Sequence, residues 1–306
     1  MKMYARAGSD ASDKIRPRHM KTASANQTQF SMCRVARAFF PVLRCWAFFL
    51  SGMGCFVVFA LALCAQLSTS AQAVAAPRSP QVVGAEFPFV GCKSDGQVGP
   101  LDASTGKPMS LPIAVGAAQQ LAYYKSESGP GVLAPRGWYC FGLYGSNGYS
   151  LYVSPHPIDG AKLLSGASSS FDGPAIEIAG SSGGTSGRFE VARIIARLFP
   201  AHRAFVESVI AEGIEPASEF PFGQYPKDKL TYRSSEIVEY QTPPNTDGLG
   251  THSRLRKNAD PISGVEILTG PETSLVLLAV RLAPNLTDLT PVIIRQVERD
   301  AANAQF

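Results

Sequence analysis

Histidine is scarce in this chain, four in 306 residues, and no two stand at a metal-binding spacing such as H-E-x-x-H. A zinc hydrolase would have no local ligand pair and would need ligands assembled from distant positions. Cysteine is equally sparse where it could act. Of six, Cys33, Cys45, Cys55 and Cys64 lie in or before an apolar segment, which leaves only Cys92 and Cys140 for the folded body. Neither has a His or a second Cys at ligand spacing, so a disulfide between Cys92 and Cys140 is expected in an oxidising compartment, with two buried thiols as the other reading. No metal and no cofactor are expected. Basic charge is missing where a nucleic acid would need it. Residues 1–44 hold nine Lys or Arg against Asp10 and Asp13, a net +7, while the whole chain is only +4, so the part after Arg44 is net −3. The basic balance therefore belongs to the leader and gives no reason to expect nucleic-acid binding.

What the sequence does contain is one long uncharged run. Residues 45–65 (CWAFFLSGMGCFVVFALALCA) include no charge over 21 positions, and as a helix they would extend about 32 Å, enough for a hydrocarbon core of about 30 Å. The arginines before it place its N-terminal end in the cytoplasm by the positive-inside rule. Two small-x-small patterns follow, ending at Ala73 and Ala75, of the kind a signal peptidase cuts. Residues 45–65 are thus expected to be a signal peptide, or a membrane anchor if they are not cleaved. Residues 1–44 form a basic cytoplasmic leader, for which Met20 or Met32 would be a more ordinary start. Neither Cys55 nor Cys64 has the lipobox surroundings of a lipid anchor. Residues 66–82, rich in Ser, Ala and Pro, are a cleavage region and linker, and residues 83–306 are the exported body.

Within the body the patterns mix strands and helices. Residues 138–153 (WYCFGLYGSNGYSLYV) are aromatic and β-branched around Asn147-Gly148, which predicts a hairpin with those two residues at φ > 0. Ala114 to Glu127 suits a short helix, and Ala175 to Ala179 a strand, followed by a Gly/Ser loop from Gly180 to Gly187. Two helices follow, the first with Phe189, Ala192, Ile195, Ala196 and Phe199 inward, the second stopping at Gly213. Tyr232 to Tyr240 reads as one strand. Thr242 to Gly264 is a loop of unusual length, and Val265 to Leu268 with Ser274 to Leu282 make a hairpin whose second strand is apolar enough to be central. A last helix begins with Thr290 as N-cap, Pro291 at the first position and Leu289 stapled to Ile294. Hairpins mixed with helices predict a single α+β domain.

The sharpest chemical motif is Gly180-Ser181-Ser182-Gly183-Gly184, a G-x-S-x-G match behind a predicted strand. As a nucleophile elbow it would make Ser182 the nucleophile, with Asp247 and His252 downstream in the order Ser, Asp, His. Against it, three more glycines separate Ser182 from the helix, and no oxyanion loop precedes it. The same loop, with Arg188 at the helix start, could hold an anion. Residues 102–107 (DASTGK) lack the Ser or Thr after Lys107 and the helix that a phosphate loop needs, because Pro108 follows, and Ser104-x-x-Lys107 lacks companion motifs. His156, His202 and His252 read as ordinary surface or capping residues. The long loop gathers Asp247, His252, Arg254, Arg256, Lys257 and Asp260, and is the first place to look for a binding surface. The expectation is an extracytoplasmic, non-enzymatic protein that binds a ligand or an envelope partner. The alternative is a secreted serine hydrolase using Ser182.

Overall fold

The computed structural model describes residues 84–113, 115–166 and 170–303. The apolar run at 45–65, the cleavage region around Ala73 and Ala75 and the linker lie outside the described residues. Among the described residues no helix is long and apolar enough to cross a membrane.

The body opens with short strands: β1 (Gly84–Phe87), β2 (Phe89–Gly91), β3 (Ser94–Gly96) and β4 (Met109–Pro112). Helix α1 (Val115–Gln120) then leads into β5 (Leu121–Lys125) and β6 (Val132–Pro135). The hairpin β7 (Tyr139–Gly145) and β8 (Gly148–Ser154), helix α2 (Gly160–Ser165) and β9 (Ala175–Ser181) follow. Helices α3 (Arg188–Leu198) and α4 (Arg203–Ala211) come next. The chain ends in β10 (Lys229–Tyr232), β11 (Ile237–Thr242), β12 (Ile262–Thr269), β13 (Ser274–Arg281) and α5 (Thr290–Ala302). The protein is α+β, as its mixed patterning predicts.

Eight strands form one sheet in the order β10-β11-β12-β13-β9-β8-β7-β3, antiparallel except for the β3–β7 edge. β13 lies at its centre between β12 and β9, which accounts for its nearly unbroken apolar run. Alternation along β13 divides the molecule into two layers. Val276, Leu278 and Val280 face α5 and the smaller β2-β5-β6 sheet, whereas Leu275 joins the layer under α3 and α4. Leu277 and Ala279 face the same way as Leu275 and pack with Leu255 and Ile262 of the long loop and β12.

The disulfide joins these sheets. Cys92 continues β2 and donates its N–H to Lys125 O at 2.8 Å, Cys140 lies on β7, and their Cα atoms are 5.4 Å apart. The predicted pairing of Cys92 with Cys140 is present, and both pack against the larger core with Trp138. A second tie is Gln296 on α5, fully buried, which accepts Leu133 N–H at 2.9 Å and donates to Gly131 O and Asp300.

Several sequence expectations need correction. Ala114 to Glu127 is not one helix: α1 stops at Gln120, and Leu121 to Tyr124 are all buried in a strand covered on both faces. The β7–β8 turn is centred on Ser146 and Asn147, not on Asn147-Gly148. Only Gly148 is at positive φ there, +152°, and a Cβ on it would lie 1.8 Å from Gly180 O. Gly148 thus serves the β8–β9 contact instead of the turn. The single strand Tyr232 to Tyr240 is a tight hairpin, β10 and β11, bent at Arg233 to Glu236. Thr290 is the first helical residue rather than the cap, because a 3-10 turn over Pro284–Leu289 feeds straight into α5.

Candidate functional site

Where β9 ends, the sheet leaves an open groove of about 650 Å³, inside the usual range of roughly 300 to 1,000 Å³ for ligand pockets. Its floor is the last row of side chains, Ile237, Ile267 and Val276, with Tyr149 at one side. Helix α5 contributes only Ala301 and Ala302 to it, too small to close it. Among the described lining residues the polar side chains are hydroxyls, those of Ser181, Ser182, Ser234, Ser274, Thr269 and Tyr149, and one carboxylate, Glu236. Ser234 and Ser235 donate hydrogen bonds to Glu236, which holds its pKa below the ordinary carboxylate value. Glu236 is therefore ionised at neutral pH and a weak base.

The Gly/Ser segment is placed here by packing. Residues Gly180 and Ser181 still belong to β9, and the turn proper starts at Ser182, whose N–H donates to Asn147 O at 3.0 Å. Its glycines answer close approaches. A Cβ on Gly183 would meet Glu272 O at 2.1 Å, and one on Gly187 would meet Asn147 O at 2.3 Å. The Gly/Ser loop is thus pinned between two hairpin turns, where its glycines admit close contacts. Ser182 is also six residues before α3 begins at Arg188, without the strand-to-helix elbow that would project a nucleophile.

The structure does not bring Ser182, Asp247 and His252 together. Ser181 pairs with Leu275 at one end of the strands. The 3-10 turn Leu249–His252 instead attaches near Thr242, through Gly250 N–H to Thr242 Oγ1 at 2.9 Å. Thr242 pairs with Ile262, in the rows beside Val280 and Ile176, so the attachment is about six residues or roughly 20 Å along the sheet from Ser182. His252 Nε2 is hydrogen-bonded to the Tyr225 hydroxyl, and burial lowers its pKa. Asp247 is an exposed partner of Lys257 at 2.6 Å. No family model, curated protein or solved structure matches this chain.

The remaining candidates have structural employment. Arg188 grips Glu212 at 2.6 Å and donates to Thr185 O at 2.8 Å, so its charge is committed at the start of α3. Ser104 Oγ donates to Lys125 O at 2.6 Å, and Gly106 lies against the Phe89 ring, so residues 102–107 are a packed turn. His202 stands edge-on to Phe199, and His156 N–H donates to Ser154 Oγ. Among the described residues no cluster of three His, Cys, Asp or Glu could hold a metal ion.

Residues 243–261, between β11 and β12, are anchored throughout. Asp228 Oδ2 accepts Leu249 N–H at 2.8 Å, and Glu177 Oε2 accepts Arg254 N–H at 2.6 Å. Arg281, 1% exposed, reaches up from β13 to the carbonyls of Phe171 and Gly173 at 2.6 Å and to that of Arg256. These anchors come from other segments of the chain, which is why no local pattern announces them. The groove too is assembled from five separate strands and a helix end, and only its Ser182 rim carried a sequence signal.

Proposed function

We propose that the folded body acts outside the cytoplasm as a non-catalytic binding protein, and that the groove at the end of β9 takes a small amphiphile with a neutral or cationic head. The observation that carries this reading is the groove's composition: an apolar floor, a rim of serine hydroxyls, and no imidazole, lysine or raised carboxyl among its described lining residues. Hydroxyls whose one neighbouring base is a carboxylate of lowered pKa can orient a ligand but are poorly activated as nucleophiles. The apolar floor supplies the binding energy in proportion to the area it covers. Glu236, ionised on the rim, repels an anionic head and attracts a cationic one. The site outside the cytoplasm is supported by the basic leader, the uncharged run and the small-x-small pattern in the sequence. The Cys92–Cys140 disulfide is compatible with an oxidising compartment.

A secreted serine hydrolase is the second reading, favoured by one observation, that Ser182 lines this same groove. Two measurements on the oxidised protein separate them. Titration with an uncharged environment-sensitive apolar fluorophore is expected to saturate, and Ile237→Trp, which fills the half-buried floor position, is expected to weaken it at least about tenfold. Ser182→Ala should leave that affinity within about twofold, and a fluorophosphonate probe should label neither protein. Labelling of the wild type that disappears in Ser182→Ala would establish the hydrolase instead.

A further inference from the structure

Two glutamates lie buried in the layer between the sheet and α3. Glu177 on β9 is 6% exposed and Glu266 on β12 is fully buried. Glu177 pairs with Ala279 and Glu266 with Leu277, two residues apart on β13, so both carboxyls point to the same face. Their surroundings differ. Glu177 accepts the Arg254 N–H, and the Arg254 guanidinium lies over the Tyr152 ring at 5.4 Å. Glu266 has no hydrogen-bond donor at either oxygen among the described residues. A carboxylate so placed is cut off from bulk solvent and from any donor among the described residues, so the packing accepts its neutral form.

Glu190, Arg254 and Tyr152 act on this pair directly, and the elements packed around it carry further charged and titratable groups. Helix α3 brings Glu190 and Arg193, which pair at 3.2 Å. The long loop brings His252 and Arg254, and the stretch before β10 brings Asp228, whose Oδ1 is buried with no donor. β11 supplies Tyr240, which donates to Leu278 O at 3.0 Å, and β8 supplies Tyr152. Burial raises Glu177 to about 7, against the pull of the Arg254 N–H and charge. Burial, then Glu190 and Glu177, raise Glu266 well above the ordinary carboxyl range.

We infer that seating α3 and the 243–261 loop on the sheet takes up protons at Glu177 and Glu266, so that acid holds this layer closed and alkali loosens it. Both groups bind protons more tightly in the folded protein. Their stabilisation is complete below the unfolded value, near 4.5, and is lost as pH rises through the folded value, about 7 for Glu177. For Glu177 alone that interval corresponds to a change of roughly 300-fold in the closing constant. The device lies on the α3 face, so it does not depend on what the groove binds.

Hydrogen exchange on the full chain tests it at one amide. The Arg254 N–H is bonded to Glu177, and the Leu133 N–H, bonded to Gln296 beneath α5, serves as reference on the opposite face. After correction for intrinsic exchange, Arg254 protection relative to Leu133 should fall at least about tenfold from about pH 5.5 to about pH 8. The combined Glu177→Gln and Glu266→Gln variant, which keeps an acceptor at both positions, should lose that fall. Constant or rising Arg254 protection in the wild type, or an equal fall in the variant, would overturn the inference. If the variant does not fold, carboxyl carbon shifts assigned to Glu177 and Glu266 in the wild type decide. Midpoints above about 5.5 carry the inference, and midpoints at or below it refute it.

Discussion

Replacing Cys92 and Cys140 together by alanine is expected to lower the unfolding free energy by about 4 kcal/mol. The bond spans 48 positions of sequence, and closing a loop of that length removes chain entropy from the unfolded state. The native contribution points the same way, because the bond joins the end of β2 in the three-stranded sheet to β7 in the eight-stranded one. Those sheets also meet through the apolar contacts of the larger core, so folding need not be abolished. Urea unfolding of oxidised and doubly substituted protein measures the difference. A loss below about 1 kcal/mol would mean that the sheets hold together without the staple.

Arg281→Met is expected to cost about 3 to 5 kcal/mol. Arg281 heads the large fully buried side chains among the described residues, and its donors satisfy the carbonyls of Phe171, Gly173 and Arg256. Methionine fills much of the volume but donates nothing, so the carbonyls of Gly173 and Arg256 lose their charged donor and that of Phe171 keeps only the Arg256 N–H, each lost charge-assisted bond costing roughly 1.5 to 3 kcal/mol. Two loop segments depend on this residue, since Phe171 and Arg256 also bond to one another through Arg256 N–H and Phe171 O at 3.0 Å. Arg281→Lys should recover little, because an ammonium cannot reproduce the planar fork that serves separate carbonyls at once. The check is the denaturation midpoint together with exchange of the Phe171 and Arg256 amides. An unchanged midpoint for Arg281→Met would show that the loops are held by their apolar contacts alone.

The parts of this fold legible in sequence are those governed by local period or local turn chemistry. β7 and β8 were readable from aromatic and β-branched residues on both sides of a glycine-flanked turn, and β13 from an apolar run short enough to be a strand. The Cys92–Cys140 pair followed from there being no other cysteine in the body. β1 to β4 are three or four residues each and carry too little pattern to be seen. Leu121 to Tyr124 misled because a strand buried on both faces loses the alternation that distinguishes it from a helix. In the candidate site, Ser182 was visible through its glycine neighbours, but those glycines exist to admit Glu272 and Asn147. Ile237, Ile267 and Val276 had no signal, since they converge only once β11, β12 and β13 are in register. Nothing in the local sequence pattern singles out Glu177 or Arg281. Their burial follows from which loop the fold lays over them.

The central claim, that the groove at the end of β9 binds an uncharged or cationic amphiphile, is tested most directly by mapping amide shifts during titration with a medium-chain alkyl alcohol and its alkyl ammonium counterpart. The account predicts saturable shifts concentrated at Gly148, Gly180, Ser182, Ile237, Thr269 and Ser274, with the ammonium binding more tightly and a fatty acid of the same length binding least. Shifts centred elsewhere on the molecule, or none that saturate, would contradict it.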